Sequence, residues 1–119
     1  DACTTDGCNT STGCTHTTLP NGTWIGAVNN DWSNPGNWCG GVPTATTNVS
    51  IPSGAAVTIN GAVMCDNIVI TNGGSLTFMG NYNITVSGNW TNNGTFNASG
   101  STITFNGNGA QTITGNNTL

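Results

Sequence analysis

What most constrains this chain is a repeat between Ile51 and Ile113. Ile51-Pro52-Ser53-Gly54-Ala55-Ala56-Val57-Thr58-Ile59 matches Ile70-Thr71-Asn72-Gly73-Gly74-Ser75-Leu76-Thr77-Phe78 position by position. Trp90-Thr91-Asn92-Asn93-Gly94-Thr95-Phe96-Asn97-Ala98 follows as a third copy, and Phe105-Asn106-Gly107-Asn108-Gly109-Ala110-Gln111-Thr112-Ile113 as a weaker fourth. Each copy opens on a large apolar residue, turns through Gly, Asn or Ser, and closes on a short run that alternates apolar with polar. That is the pattern of a bend followed by a half-buried strand. Ile51 and Ile70 are 19 residues apart and Ile70 and Trp90 are 20 apart, while Ile84-Thr85-Val86-Ser87-Gly88 recurs as Ile103-Thr104-Phe105-Asn106-Gly107.

A period near 20 with short strands and a Gly/Asn turn suits one coil of a β-solenoid. An antiparallel meander has no reason to bring the same residues back at the same phase, because its neighbouring strands run in opposite directions. The expected fold is therefore all-β, a short parallel β-solenoid (β-helix) of about three to four coils. Inward positions are Val57, Ile59, Ile68, Ile70, Leu76, Phe78, Ile84, Val86, Phe96, Ile103, Phe105 and Ile113. Thr58, Thr77, Thr85, Asn97, Thr104 and Thr112 face water between them.

The 119 residues read as one domain in three parts: a Cys-rich segment over 1–20, a Trp-rich cap over 21–50 and the coils over 51–119. There is no Lys, Arg or Glu; the charge of −4 comes from Asp1, Asp6, Asp31 and Asp66. A nucleic-acid partner is excluded for want of cations to place on phosphates, and an anionic membrane surface by the same argument. No apolar run approaches the roughly 20 residues that span a bilayer. The sequence carries no signal peptide, so the expectation is a cleaved product or a piece of something longer. Sheet proteins commonly guard exposed strand edges with Lys or Pro. Here the last strand, Gln111-Thr112-Ile113-Thr114, has no such guard, and nothing in Gly115 to Leu119 reads as a cap.

In the first segment Cys3, Cys8 and Cys14 stand among Thr, Asn, Gly and Ser, without apolar periodicity to build a core. Asp1, Asp6 and His16 lie near them, but Cys-x4-Cys-x5-Cys-x-His does not match a zinc knuckle or ribbon, so disulfides are the reading and no metal is expected. Cys39 in the cap and Cys65 one coil later are the preferred intrachain pair, closing about 25 residues for ~3 kcal/mol. Three Cys then remain at the N-terminus. Two of Cys3, Cys8 and Cys14 can close a local loop, leaving one for a neighbouring subunit or as a free thiol.

Trp24, Trp32 and Trp38 fall within fifteen residues of Gly- and Asn-rich sequence that leads straight into Asn48-Val49-Ser50-Ile51. They either shield the apolar end of the first coil or, with Tyr82, form a stacking platform for glycans; the cap reading is preferred.

Thr23-Trp24-Ile25-Gly26, Asp31-Trp32, Asn37-Trp38-Cys39, Gly41-Val42-Pro43 and Val49-Ser50-Ile51-Pro52 resemble the opening module of β-solenoid segments in secreted surface proteins of the Bacteroidota. Val63-Met64-Cys65-Asp66-Asn67-Ile68 and Ser87-Gly88-Asn89-Trp90-Thr91-Asn92-Asn93-Gly94-Thr95-Phe96 resemble their continuation. Those proteins are large adhesins and gliding-type surface filaments exported by the type 9 pathway; a looser similarity reaches autotransporter passengers. The resemblance spans about Asn21 to Thr118 and implies a secreted, cell-surface solenoid. Such proteins usually run to several hundred residues and end in a sorting domain that this sequence lacks. The Cys cluster also lies outside the resemblance, so a small mature subunit or an excised piece is expected.

The leading functional expectation is an extracellular structural subunit that packs head to tail with copies of itself into a fibre or surface layer, stabilised by disulfides. An adhesion module that binds extracellular polysaccharide is the alternative. Ice binding through Thr58, Thr77 and Thr112, with Thr85 and Thr104 beside them, is a second. An enzyme is not expected: Asp31 and Asp66 are the only acids in the ordered part, His16 is the only imidazole, and no catalytic spacing joins them. No cofactor is called for.

Overall fold

The structure is a computed structural model that describes residues 3–9 and 13–115. Strands β1 (Thr4–Asn9) and β2 (Gly13–Thr18) form an antiparallel hairpin. The solenoid's first coil holds β3 (Val49–Ile51), β4 (Ala56–Ile59) and β5 (Val63–Cys65); its second holds β6 (Ile68–Ile70), β7 (Ser75–Phe78) and β8 (Asn83–Val86). The third holds β9 (Trp90–Asn92), β10 (Thr95–Asn97) and β11 (Thr102–Phe105), and β12 (Ile113–Gly115) begins another turn. Like strands stack in parallel along three sides: β3-β6-β9-β12, β4-β7-β10 and β5-β8-β11.

Alternation within each strand sends one set of side chains into the coil, and parallel register puts like on like. Val57, Leu76 and Phe96 share one column on side two, and Val63, Ile84 and Ile103 share one on side three. Inward positions from Val49 to Trp90 are buried, each worth roughly 1.5–3 kcal/mol for a large aliphatic side chain. The expected inward set holds through Val86. Beyond it, Phe96, Ile103 and Phe105 are only half-buried, and Ile113 is 45% exposed. Their direction follows the alternation, but among the described residues no further coil covers them.

Two expected alignments need correction. The structure stacks Trp90 on Ile68 rather than Ile70, and Asn92 on Ile70. Four residues separate β3 from β4 and β6 from β7, whereas only Asn93 and Gly94 separate β9 from β10. Asn92 closes this tighter turn: its Oδ1 accepts the Gly94 N–H at 3.0 Å. A Cβ at Gly94 would stand 2.6 Å from the Thr71 carbonyl oxygen of the coil below, so the close approach requires glycine. The proposed fourth copy also dissolves, because Phe105 stacks on Val86 on side three while Ile113 stacks on Trp90 on side one. Successive coils along side one thus advance 19, 22 and 23 residues, from Val49 to Ile68 to Trp90 to Ile113.

Register is pinned by a column of asparagines at the corner where side three turns into side one. Asn48 Oδ1 accepts the Asn67 N–H at 3.3 Å and the Asn67 Nδ2 at 2.9 Å. Asn67 Oδ1 accepts the Asn89 N–H at 2.7 Å, and Asn89 Oδ1 accepts the Thr112 N–H at 3.0 Å. Backbone donors exposed by the turn are satisfied from one coil to the next.

The cap is a rudimentary coil. Thr23 bridges Ser50 and Asp31 bridges Thr58, both in parallel, which places cap residues one rung before β3 and β4. Trp24 and Trp38 then bridge antiparallel, with the Cys39 N–H donating to the Thr23 carbonyl at 3.0 Å. This covers the head edge of side one with backbone already paired. No described side chain of the hairpin belongs to the core cluster.

Candidate functional site

The three tryptophans fill the head of the core and do not form a platform. Trp24, Trp32 and Trp38 are all buried. Trp38 meets Trp24 and Trp32 edge-on at 5.0 and 4.9 Å between centroids, and its Nε1 donates to the Trp32 carbonyl at 2.7 Å. Tyr82, 36% exposed, lies far along the chain between β7 and β8. Stacking on Trp24, Trp32 and Trp38 is therefore ruled out: their faces are spent on one another and on the first coil, as a solenoid end requires.

The cysteine pairing differs as well. Cys3 is bonded to Cys39, which fastens the base of the hairpin to the cap, and Leu19 N–H donates to the Cys3 carbonyl at 2.7 Å. The expected Cys39–Cys65 bridge is absent because Cys65 points into the core from β5, stacked on Val86, while Cys39 runs along the head edge of side one. Cys14 is also disulfide-bonded; the backbone register sets it opposite Cys8, whose side chain lies outside the described residues. Among the described residues the free cysteine is Cys65. Cys3 is thus not available to a neighbour, and the odd thiol is buried rather than N-terminal.

Burial, and then the Asp66 charge, push the Cys65 thiol up to about 12. Since the folded value lies above the unfolded one, this contribution to stability is complete below about pH 9 and is lost as pH rises toward 12. Between pH 8 and 10.5, wild type is expected to lose about 2 kcal/mol more than Cys65→Val, read from guanidinium unfolding. Equal losses would mean that the thiol is not held in the core.

The threonine ladders are short. Thr58 and Thr77 share a column whose next rung is Asn97, and Thr85 and Thr104 share one that begins at Met64. Thr112 belongs to neither, since it precedes β12 on side one. No described column holds three consecutive threonines, which leaves ice binding without a regular array.

Incompletely covered apolar residues gather at the other end. Phe96, Ile103 and Phe105 line, with Ala98, Ser101 and Thr102, a hollow of about 310 Å³. Beside it Ile113 stands exposed on β12. Among the described residues no strand pairs with the outer edges of β10 and β11. No Asp, Glu, Lys, Arg or His occurs between Asp66 and Gly115, so the described side chains at this end carry no charge.

The family described as Domain of unknown function (DUF8693) matches residues 23–118. The chain belongs to this family. The match begins at Thr23, the residue that forms the first rung before the coils, and leaves out the disulfide-tethered hairpin. The family unit is thus the cap with the coils it starts. No curated protein and no solved structure matches the chain.

Proposed function

We propose that this chain is a secreted structural subunit, without enzymatic activity, that packs end to end with copies of itself through the open end of its solenoid. The observation that carries this reading is the incompletely covered apolar layer of Phe96, Ile103, Phe105 and Ile113, at an end where no described strand pairs with the outer edges of β10 and β11. An edge of this kind, with no Lys or Pro to guard it, favours another strand layer. Two bonded cysteines joining hairpin to cap fit an oxidising compartment outside the cell. The resemblance to secreted surface proteins agrees with that location.

A head-to-tail contact does not close on itself and so generates fibres. Sedimentation velocity and negative-stain microscopy of the oxidised protein test it, with Phe105→Asp and Ile103→Asp as partners to wild type. Wild type is expected to associate with rising concentration into filaments. Each variant places a carboxylate on the joint and is expected to weaken association by a hundredfold or more, since burying an unpaired charge costs several kcal/mol. A discrete dimer would replace the head-to-tail arrangement with a two-fold one, and a monomer at every concentration would overturn end-to-end assembly altogether.

A further inference from the structure

Away from the open end, the outer face of side one carries a groove of about 660 Å³ beside the cap. Its floor is the outward column Thr23, Ser50 and Val69, and its wall is the loop from Gly40 to Asn48. We propose that this groove binds a neutral oligosaccharide, laid along the solenoid axis.

The chemistry of the lining selects the ligand. None of the residues that form the groove is ionisable, so phosphates, sulfates and uronates find no counter-charge and a metal ion finds no carboxylate. What the groove offers instead is hydroxyl and amide groups, which both donate and accept and so match a ligand made of hydroxyls. Val42 and Val69, 36% and 39% exposed, supply apolar strips for the C–H faces of sugar rings. A volume of this size lies in the range of small-ligand sites.

The wall is already set before any ligand arrives. Thr44 N–H donates to Thr47 Oγ1 at 3.0 Å, and Thr44 Oγ1 lies 3.2 and 3.1 Å from the hydroxyls of Thr46 and Thr47. Gly22 N–H donates to the Cys39 carbonyl at 3.0 Å, so the base of the wall is tied to the floor, and the Cys3–Cys39 bond fastens it again. A preorganised wall loses little conformational freedom on binding. The floor continues past the groove as Thr91 and Thr114, whose hydroxyls lie 3.2 Å apart, giving an extended chain further contacts. With the indoles buried, no aromatic platform contributes, and binding is weak, on the order of millimolar.

The test is a titration of the ¹⁵N-labelled protein with neutral hexasaccharides of glucose, xylose and N-acetylglucosamine. At least one is expected to shift amides of 21–23, 40–50 and 67–69 and few others. Val69→Lys, which lays a long charged side chain along the floor, is expected to weaken that binding by about tenfold or more, whereas Thr104→Lys on side three leaves it unchanged. Thermal melts of both variants check that the fold is retained. Absence of shifts with every hexasaccharide, shifts centred elsewhere, or undiminished binding by folded Val69→Lys would each overturn the proposal. Failure of end-to-end assembly leaves this result untouched, because the groove shares no residue with the open end on which that reading rests.

Discussion

Trp90→Ala is expected to cost about 4 kcal/mol, enough to release the third coil before the first two. Trp90 is the largest fully buried side chain of the coils, and its ring meets Phe96 edge-on at 4.9 Å. Phe96 in turn meets Phe78 at 5.8 Å, so one indole supports the aromatic column on which the half-covered end rests. Removing it leaves a cavity that sheets on three sides cannot collapse to fill, since each strand is held in register by its neighbours. Trp90→Phe, which keeps most of the volume, is expected to lose only 1–2 kcal/mol. Denaturant unfolding gives the total, and hydrogen exchange gives the order: amides of 95–105 lose protection while those of 57–59 keep it. A loss below 1 kcal/mol would show that the third coil does not depend on this column.

Asn37→Ala is expected to be nearly as damaging, at about 3 kcal/mol, and its effect falls at the opposite end. Asn37 is fully buried at the end of the 3-10 turn Pro35–Asn37. Its Oδ1 accepts the N–H groups of Val28 and Asn29, both at 2.9 Å, while its Nδ2 donates to Asn29 Oδ1 at 2.7 Å and the Asp31 carbonyl at 2.8 Å. Alanine strands the Val28 and Asn29 N–H groups, whereas Asn29 Oδ1 keeps the Asp31 N–H and the Asp31 carbonyl keeps the Asn34 N–H; stranded groups cost about 1–3 kcal/mol each, less where water can reach them. Asn37→Asp does not rescue the cap at neutral pH. It keeps the acceptor but sets a carboxylate against the Asp31 carbonyl, and Asn29 cannot turn its amide without losing the Asp31 N–H on its Oδ1. A red shift of the tryptophan emission reports the cap, because Trp24, Trp32 and Trp38 are buried together there. Unchanged emission and stability in Asn37→Ala would mean that the Trp cluster holds the cap without this side chain.

The coil pattern is legible because period-2 alternation acts within single strands: Val57 and Ile59, or Ile84 and Val86, are inward wherever the strand lies. Register is harder, since it depends on turn length. Matching Trp90 to Ile70 overlooks a turn two residues shorter, yet a signal was present: Asn48, Asn67 and Asn89 each precede the first inward residue of side one. Alternation gives a direction without a cover, which is why Ile113 follows the pattern and is still exposed. The Cys3–Cys39 pairing was beyond reach, because it depends on where a polar hairpin folds back against the cap. Burial of the three tryptophans agrees with the preferred cap reading, whereas the groove on side one has no sequence signature: threonines are everywhere in this chain.

A cap that is itself an incomplete coil gives the molecule a direction in time as well as in space. Its contacts join residues 22–39, close in sequence, so they form at small loop-closure cost. Every later coil needs the edge below it as a template, beginning with the rungs at Thr23 and Asp31. A chain that emerges N-terminus first can therefore build itself one coil at a time, each new strand laid on a finished edge, with no need to wait for its last residues.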